Sequence, residues 1–454
     1  MQAFDFVSGK SEVFGLIGKE VSYSLSPKLI NTISFEFNKP SVYVPFAVAK
    51  GRLEEAVLGG YALNIKGFNV TVPYKQEVMK YISEADDISS KIGAVNTLKY
   101  TEKGYKGYNT DVIGIKRAFE ANGADVKGKN VLILGAGGAA ASAAFFAASG
   151  NAAKLIIANR TFEKAEEICR LISLYYPLKP SVIPLSELPE DEIDIVIQTT
   201  SLGMKGSEDQ SPVLDISFFK QGMFVMDIIY SPWETRFLKD AKKAGAKTVN
   251  GFDMLVFQGI ASYEIWHDMK IDDETAIDIR NALAGSLSNN IVLIGFMGSG
   301  KTIIGKSLAR LLGLRFLDTD EIIESKEGQI KQIFKKKGEE YFREIETETL
   351  KGLLGTKDAV ISTGGGIVKK PENKKILSSI GKVIYLKASP EHIAKNVKND
   401  NTRPLLSGKD KFLKISKLLS EREALYEDFS NIKIEVSFKS IEEICRSIID
   451  QTGE

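Results

Sequence analysis

The chain has 454 residues, with 60 Lys plus Arg against 59 Asp plus Glu, and it is 43% hydrophobic and 26% charged. That length exceeds one ordinary core and argues for two or three domains. A net charge of +1 disfavours a broad nucleic-acid-binding face. The two cysteines, Cys169 and Cys445, lie far apart outside any CxxC, which argues against a disulfide framework or structural zinc and for reduced thiols in a cytoplasmic protein. The N-terminal MQAFDFVSGK lacks a secretory signal pattern. The two histidines, His267 and His392, sit in no recognisable motif, so acid–base chemistry falls to Lys, Asp, Glu or Tyr.

Residues 11 to 118 mix short apolar runs with the loops Ser22–Pro27 and Asn69–Lys75. From about 128 to 250, apolar strands (Val131–Leu134, Leu155–Ala158, Ile193–Gln198, Phe224–Asp227) alternate with helical stretches, the pattern of a parallel sheet covered on both faces. The apolar stretch from Val131 to Gly150 is built on Gly and Ala, which reads as strand, tight turn and packed helix rather than a membrane span. Its turn, Gly135-Ala136-Gly137-Gly138-Ala139, suits close approach of the backbone to a pyrophosphate at a helix N-terminus. After the next strand comes Asn159-Arg160-Thr161 rather than an acid, and Arg160 suits the 2′-phosphate of NADP.

Residues 250 to 284 read as helical and are expected to pack back on the first region. Gly285–Asn290 is small and polar and reads as a linker reaching ~20 Å at most. A second α/β domain opens with the strand Ile291–Ile294. Gly295-Phe296-Met297-Gly298-Ser299-Gly300-Lys301-Thr302 then matches GxxxxGK[ST] in full. Such a loop cradles phosphates with backbone N–H groups, reaches them with Lys301 and binds Mg²⁺ through Thr302.

Ordered motifs make a resemblance specific. Ser22–Pro27 with Asn31, Asn69–Lys75, Gly93–Thr97, Asn109-Thr110-Asp111, Asp227–Pro232 and Gly251–Leu255 with Gln258 together resemble the shikimate dehydrogenase family over roughly residues 14 to 265. Ser24 and Ser26 sit two apart, so an extended segment would turn both hydroxyls to one side. The resemblance implies that Ser24, Ser26 and Thr71 bind the shikimate carboxylate and that Asn96, Asp111 and Gln258 hold ring hydroxyls. It implies further that Lys75 and Asp111 are the catalytic pair, with Tyr230, Ile228 and Gly251 near substrate and nicotinamide. Ile30 and Gln198 depart from that family, which often has His and Asn there.

Beyond the phosphate loop, Phe316–Asp320, Gly338–Arg343 with Glu346, Ser362–Gly366, Thr402–Leu406, and Arg422 with Tyr426 resemble the shikimate kinase family over residues 290 to about 430. The resemblance implies that Asp320 positions the 3-hydroxyl, Asp318 sits near Mg²⁺, Arg343 and Arg422 clamp the carboxylate, Gly365 offers a backbone contact, and Arg403 closes a lid over ATP. Asn396 stands where that family often carries an Arg near adenine.

The expected architecture is α/β throughout. A dehydrogenase substrate domain (1–118, completed by 250–284) and a Rossmann NADP domain (119–249) precede the linker and a P-loop kinase domain (291–454) with a parallel sheet. The implied chemistry is reduction of 3-dehydroshikimate with NADPH, then phosphorylation of shikimate with ATP and Mg²⁺. Small-molecule substrates are the implied partners, without nucleic acid or membrane; the oligomeric state is not readable. Two rivals stay open at this point: an inactive shikimate-binding regulator, and a quinate/shikimate dehydrogenase with one active half.

Overall fold

The computed structural model describes residues 7–187, 189, 192–397 and 411–452. Arg403 and its neighbours in Thr402–Leu406 lie outside the described residues. The chain divides into two compact units, Met1–Ala276 and Ile277–Glu454.

The first unit carries two sheets among its described residues. One contains β1 (Glu12–Gly18), β2 (Ser41–Ala47), β3 (Gly67–Val70), β4 (Glu84–Ala85), β5 (Thr97–Thr101) and β6 (Gly104–Tyr108), in the order β2-β1-β3-β5-β6-β4. It is mixed: β1 runs parallel to β2 and β3, while β5 is antiparallel to both β3 and β6. The other contains β7 (Asn130–Leu134), β8 (Lys154–Asn159), β9 (Ser181–Pro184), β10 (Ile195–Gln198), β11 (Phe224–Asp227) and β12 (Lys247–Val249), in the order β12-β11-β10-β7-β8-β9. Every pairing in it is parallel. Its central strands, buried on both faces, are the continuous apolar runs of the sequence. Strand order reverses between β7 and β10, the crevice where parallel sheets of this kind take ligands, and the glycine turn 135–138 opens there.

The helix Phe252–His267 packs against the helices Ser26–Glu36 and Thr110–Ala121. Small residues allow the close approach: Gly114 lies flat against Gln258, and Gly259 against Leu29.

The second unit has one sheet with β13 (Ile291–Ile294), β14 (Arg315–Asp318), β15 (Ala359–Ser362), β16 (Lys382–Lys387) and β17 (Ile432–Glu435), in the order β14-β15-β13-β16-β17. All its pairings are parallel. The strand residues of β13 and β15 are fully buried in its core.

Two expectations are corrected. Residues 285–290 are not a free linker: the helix Asp273–Ser286 runs through Gly285 and Ser286, and Asn290 is fully buried. Asn290 Nδ2 donates to Thr356 O (2.6 Å) and Ile380 O (2.9 Å), and its Oδ1 accepts from Ala359 N (3.0 Å). Small polar residues suggest a loop, but this one closes the backbone at the start of the second unit's sheet. Nor is Ser24–Ser26 extended. Ser26 begins the helix Ser26–Glu36 with Pro27 in its first turn, and Ser24 Oγ accepts from Ser26 N at 3.2 Å. Proline is at home in that position because its missing N–H would have no helical partner there.

Candidate active sites

In the first unit, Lys75 follows β3 and Asp111 opens the helix Thr110–Ala121. Their side chains meet at 2.6 Å between Nζ and Oδ2. Asp111 is nearly buried, whereas Lys75 keeps about a fifth of its side chain exposed, the arrangement of a charge held from behind. The other carboxylate oxygen, Oδ1, accepts from Asn96 Nδ2 at 2.8 Å. Asn96 Oδ1 accepts from Thr110 N at 2.8 Å, which fixes the amide's orientation. Gln258 Oε1 lies 3.5 Å from both Asn96 Nδ2 and Thr110 Oγ1. The structure thus gathers Lys75, Asn96, Asp111 and Gln258 from four separate segments.

Sequence reasoning missed the layer beneath them. Ser262 Oγ contacts Thr97 Oγ1 (2.8 Å), Thr110 Oγ1 (3.1 Å) and Asn69 Nδ2 (2.9 Å), and Tyr43 OH donates to Asn69 Oδ1 (2.9 Å). All five are buried. A buried polar network with its partners supplied holds one geometry, because any rearrangement strands a donor or acceptor. Asn69 and Thr97 fall in the quoted motifs; Ser262, a helix residue among apolar neighbours, gave no signal.

Ser24, Thr71 and Tyr230 occupy loops of the same unit, and Ser26 the first turn of its helix. Ser26 is buried, while Ser24 and Thr71 are half-buried. Tyr230 is half-buried too, and burial pushes its phenol above the ordinary range. Its loop follows β11, and Gly251 N donates to Ile229 O at 3.0 Å. A Cβ on Gly251 would stand 1.9 Å from Ile228 O, so only glycine permits that contact. The loop is anchored by Asp227, another residue the sequence did not single out for a role. Fully buried, it accepts from Ile229 N (3.0 Å) and Thr235 Oγ1 (2.6 Å), and burial pushes its carboxyl up to about 6.

The dinucleotide turn fits its group. Gly135 adopts φ +113°, a conformation that L side chains rarely reach. At Gly137 and Gly138 an added Cβ would meet only open space, so the start of the helix Gly138–Ser149 presents bare backbone, flanked by Ala136 and Ala139. Arg160 and Thr161 are exposed at the end of β8, and Asn159 Nδ2 donates to Thr161 O at 2.8 Å.

In the second unit, the phosphate loop 295–302 leaves β13 and enters the helix Lys301–Leu312, with Gly300 at φ +91°. Lys301 Nζ donates to Gly295 O (2.8 Å) and Phe296 O (3.1 Å). Among the described residues Ser299 Oγ is buried without a hydrogen-bond partner, a spare donor inside the loop that suits a phosphate oxygen. Thr302 Oγ1 donates to Asp318 Oδ2 at 2.9 Å, while Asp318 Oδ1 caps the next helix by accepting from Asp320 N at 3.0 Å. Among the described residues no cluster of three or more His, Cys, Asp or Glu could hold a metal by itself. Thr302 and Asp318 therefore fit an ion that takes its remaining oxygens from phosphate and water, the habit of Mg²⁺.

Across Ser362–Gly366 the donors converge. Gly338, at φ +87° and ψ 174°, breaks the helical segment Ile330–Lys351 and sets off the turns that carry Arg343 and Glu346. Both are buried, so their pairing is no surface ion pair. Arg343 Nη1 contacts Glu346 Oε2, and Nη2 lies 2.9 Å from Glu339 Oε1. Burial pushes the Glu346 carboxyl up while Arg343 pulls it back. Arg422 Nη1 (3.3 Å) and Tyr426 OH (2.5 Å) both donate to Gly365 O. Arg343, Arg422, Asp320 and Gly365 thus gather around the glycine triplet, Asp320 Oδ1 and Glu346 Oε1 both facing Gly364.

Comparison with known proteins divides the chain in the same way. Residues 16–98 match the family described as shikimate dehydrogenase substrate binding domain, 116–228 that of shikimate / quinate 5-dehydrogenase, and 297–452 that of shikimate kinase. A shikimate dehydrogenase (NADP(+)) of Methanococcus maripaludis is 41% identical over 270 residues, covering 59% of this chain and 95% of the relative. A crystal structure of a shikimate dehydrogenase in complex with NADP+ is similar at TM-score 0.56 and 41% identity, covering 60% of this chain and 96% of that one. A shikimate 5-dehydrogenase of Listeria monocytogenes, solved with shikimate and NAD, is similar at TM-score 0.56 and 30% identity, covering 60% and 97%.

Proposed function

Because the chain belongs to the shikimate dehydrogenase family over its first unit and carries a shikimate kinase domain in its second, we propose two consecutive reactions for it. The first unit reduces 3-dehydroshikimate to shikimate with NADPH, and the second phosphorylates shikimate to shikimate 3-phosphate with ATP and Mg²⁺. One observation carries this reading: the Lys75–Asp111 pair in one unit coexists with a complete phosphate loop and its Thr302–Asp318 pair in the other. An inactive sensor would have no use for both.

NADPH supplies hydride when bound; the chain's residues do the rest. Lys75 gives a proton to the carbonyl oxygen being reduced, and Asp111 holds its ammonium in place. Asn96, Gln258 and Asp111 orient the ring hydroxyls, and Ser24, Ser26 and Thr71 take the carboxylate. The exposed Arg160 would pair with a 2′-phosphate, and no acid in 159–161 competes for a ribose hydroxyl, which favours NADP over NAD. In the second unit ATP supplies the phosphoryl group. Asp320 orients the attacking hydroxyl, Arg343 and Arg422 bind the carboxylate with planar forks, and Lys301 meets developing phosphate charge. The setting is the cytoplasm; no helix among the described residues is long and apolar enough to cross a membrane.

A coupled assay on the purified chain tests this, with NADPH loss and ADP formation followed separately. Both signals are expected, with Lys75→Ala silencing only the first and Lys301→Ala only the second. Shikimate binding without either signal would replace this reading with the regulatory one.

A further inference from the structure

The amide nitrogen of Asn96 carries two hydrogens, and both are in use. Nδ2 donates to Asp111 Oδ1 at 2.8 Å and to Thr110 Oγ1 at 3.0 Å. The amide cannot turn over, because Oδ1 accepts from Thr110 N at 2.8 Å. For Asn96 to donate to a ring hydroxyl, one of the two bonds must be given up. The bond to Asp111 holds the partner of Lys75, so the bond to Thr110 is the one that can go. Its loss leaves the Thr110 oxygen without that donor. Thr110 is fully buried, where a stranded polar group is costly.

A replacement lies within reach. Ser262 Oγ is 3.1 Å from Thr110 Oγ1, and either oxygen can donate. The Ser262 hydroxyl donates to Gln258 O at 2.9 Å. That carbonyl stands four residues back in the helix Phe252–His267, where the backbone N–H of Ser262 already serves it. The hydroxyl bond is therefore surplus, and turning it away strands nothing. The Ser262 oxygen keeps its own donor, Asn69 Nδ2 at 2.9 Å. The Asn69 amide is held in turn by Tyr43 OH, which donates to its Oδ1 at 2.9 Å. Thr97 Oγ1 is also near Thr110 Oγ1, at 3.2 Å, but its hydrogen serves Asn96 Oδ1 at 3.1 Å, on the very amide that must stay fixed. The heavy atoms of this layer can thus keep one arrangement while one hydroxyl hydrogen changes partner.

We propose that Ser262 is a positioning residue for substrate recognition in the dehydrogenase unit: as Asn96 turns a hydrogen from Thr110 to a ring hydroxyl, Ser262 turns its own to Thr110. Asn96 then binds substrate without loosening the layer that holds it and Asp111. Ser262 touches neither substrate nor cofactor and acts through Thr110. The proposal rests on the dehydrogenase reading of this unit, with Asn96 as a hydroxyl-binding residue.

The test uses the full chain in steady-state assays of NADPH oxidation, with 3-dehydroshikimate and NADPH varied separately. Ser262→Ala is expected to raise KM for 3-dehydroshikimate roughly fivefold to tenfold, the scale of one buried group left without its partner. Turnover and KM for NADPH should stay within about twofold, because a contact made equally in ground and transition states moves only the KM of the substrate concerned. Ser262→Cys fills the same space with a weaker donor, so its KM should fall between the two, and it carries the test if the alanine chain does not fold. In a Thr110→Val background, Ser262→Ala should change KM by less than about twofold, since the oxygen that needs the hydrogen is gone. An unchanged KM for 3-dehydroshikimate in both Ser262 variants overturns the proposal. So does a fall in turnover with a rise in both KM values, which would make Ser262 scaffold only, and so does an equal KM rise in the Thr110→Val background. A wild-type chain that oxidises no NADPH with 3-dehydroshikimate would instead sink the dehydrogenase reading, and this proposal with it.

Discussion

Lys75 Nζ lies 2.6 Å from Asp111 Oδ2, and Asn96 holds the opposite oxygen of the same carboxylate at 2.8 Å. Asp111 therefore has one oxygen for the lysine and one for the scaffold, and cannot rotate without losing both. Asp111→Asn keeps the shape but loses the charge that holds the ammonium. It should slow turnover in the dehydrogenase reaction by about 10²- to 10⁴-fold, the usual worth of a positioned acid–base group. Phosphorylation of shikimate by the same preparation should be unchanged, which would rule out global misfolding. A loss below about threefold would show that the pair is structural.

Arg343 gives a corresponding prediction for the other unit. Its guanidinium meets Glu346 through Nη1 and Glu339 through Nη2 and Nε, with little of it exposed. A lysine carries the same charge but no planar fork, so it cannot serve both carboxylates and a substrate carboxylate together. Arg343→Lys should raise KM for shikimate in the kinase reaction at least tenfold, with KM for ATP nearly constant. Equal changes in both constants would count against a carboxylate-binding role.

Asp227 links stability to pH. Its carboxyl is raised from 3.8 to about 6 by burial, so the folded chain holds this proton more tightly than the unfolded chain. The sign follows: the folded state binds more protons between pH 4 and 6, so this group's contribution falls as pH rises through that window. Above it the cost of the buried charge is fully present, up to about 3 kcal/mol for a shift of this size. Asp227→Asn cannot titrate. The Tm of wild type relative to this variant should therefore rise as pH is lowered from 8 to 5, in differential scanning across that range. A difference independent of pH would mean that Asp227 is not raised.

Much of this was legible in the sequence, for a physical reason. Phosphate loops and dinucleotide turns are local: consecutive backbone groups must make one shape, so Gly135–Ala139 and Gly295–Thr302 announce themselves. Lys75, Asn96, Asp111 and Gln258 were readable only as ordered motifs, because what unites them is a fold that brings distant segments together. Ser262 supports those residues from below, and its partner Asn69 lies 193 residues away. Nothing local distinguishes it. The reading of Ser24 and Ser26 as extended failed because Pro27 starts a helix as readily as it ends a strand, and the spacing of two serines cannot tell the two apart.

Asn290 is the sharpest instance of a residue whose role is invisible in one dimension, and it can be tested directly. It reads as the last residue of a polar connector, yet its amide serves Thr356 O, Ile380 O and Ala359 N, all beside the first strand of the kinase sheet. Asn290→Ala would leave two carbonyls and one N–H buried without this partner. Each stranded group costs about 1–3 kcal/mol, less where water or relaxation compensates, so a net loss of about 3 kcal/mol is expected. The kinase transition in thermal unfolding should shift down by several degrees, while dehydrogenase activity before that transition stays at the wild-type level. Asn290→Asp retains an acceptor for Ala359 N but has no donor for the two carbonyls, so it should be at least as damaging as alanine. Were both variants as stable as wild type, residue 290 would belong to a connector after all.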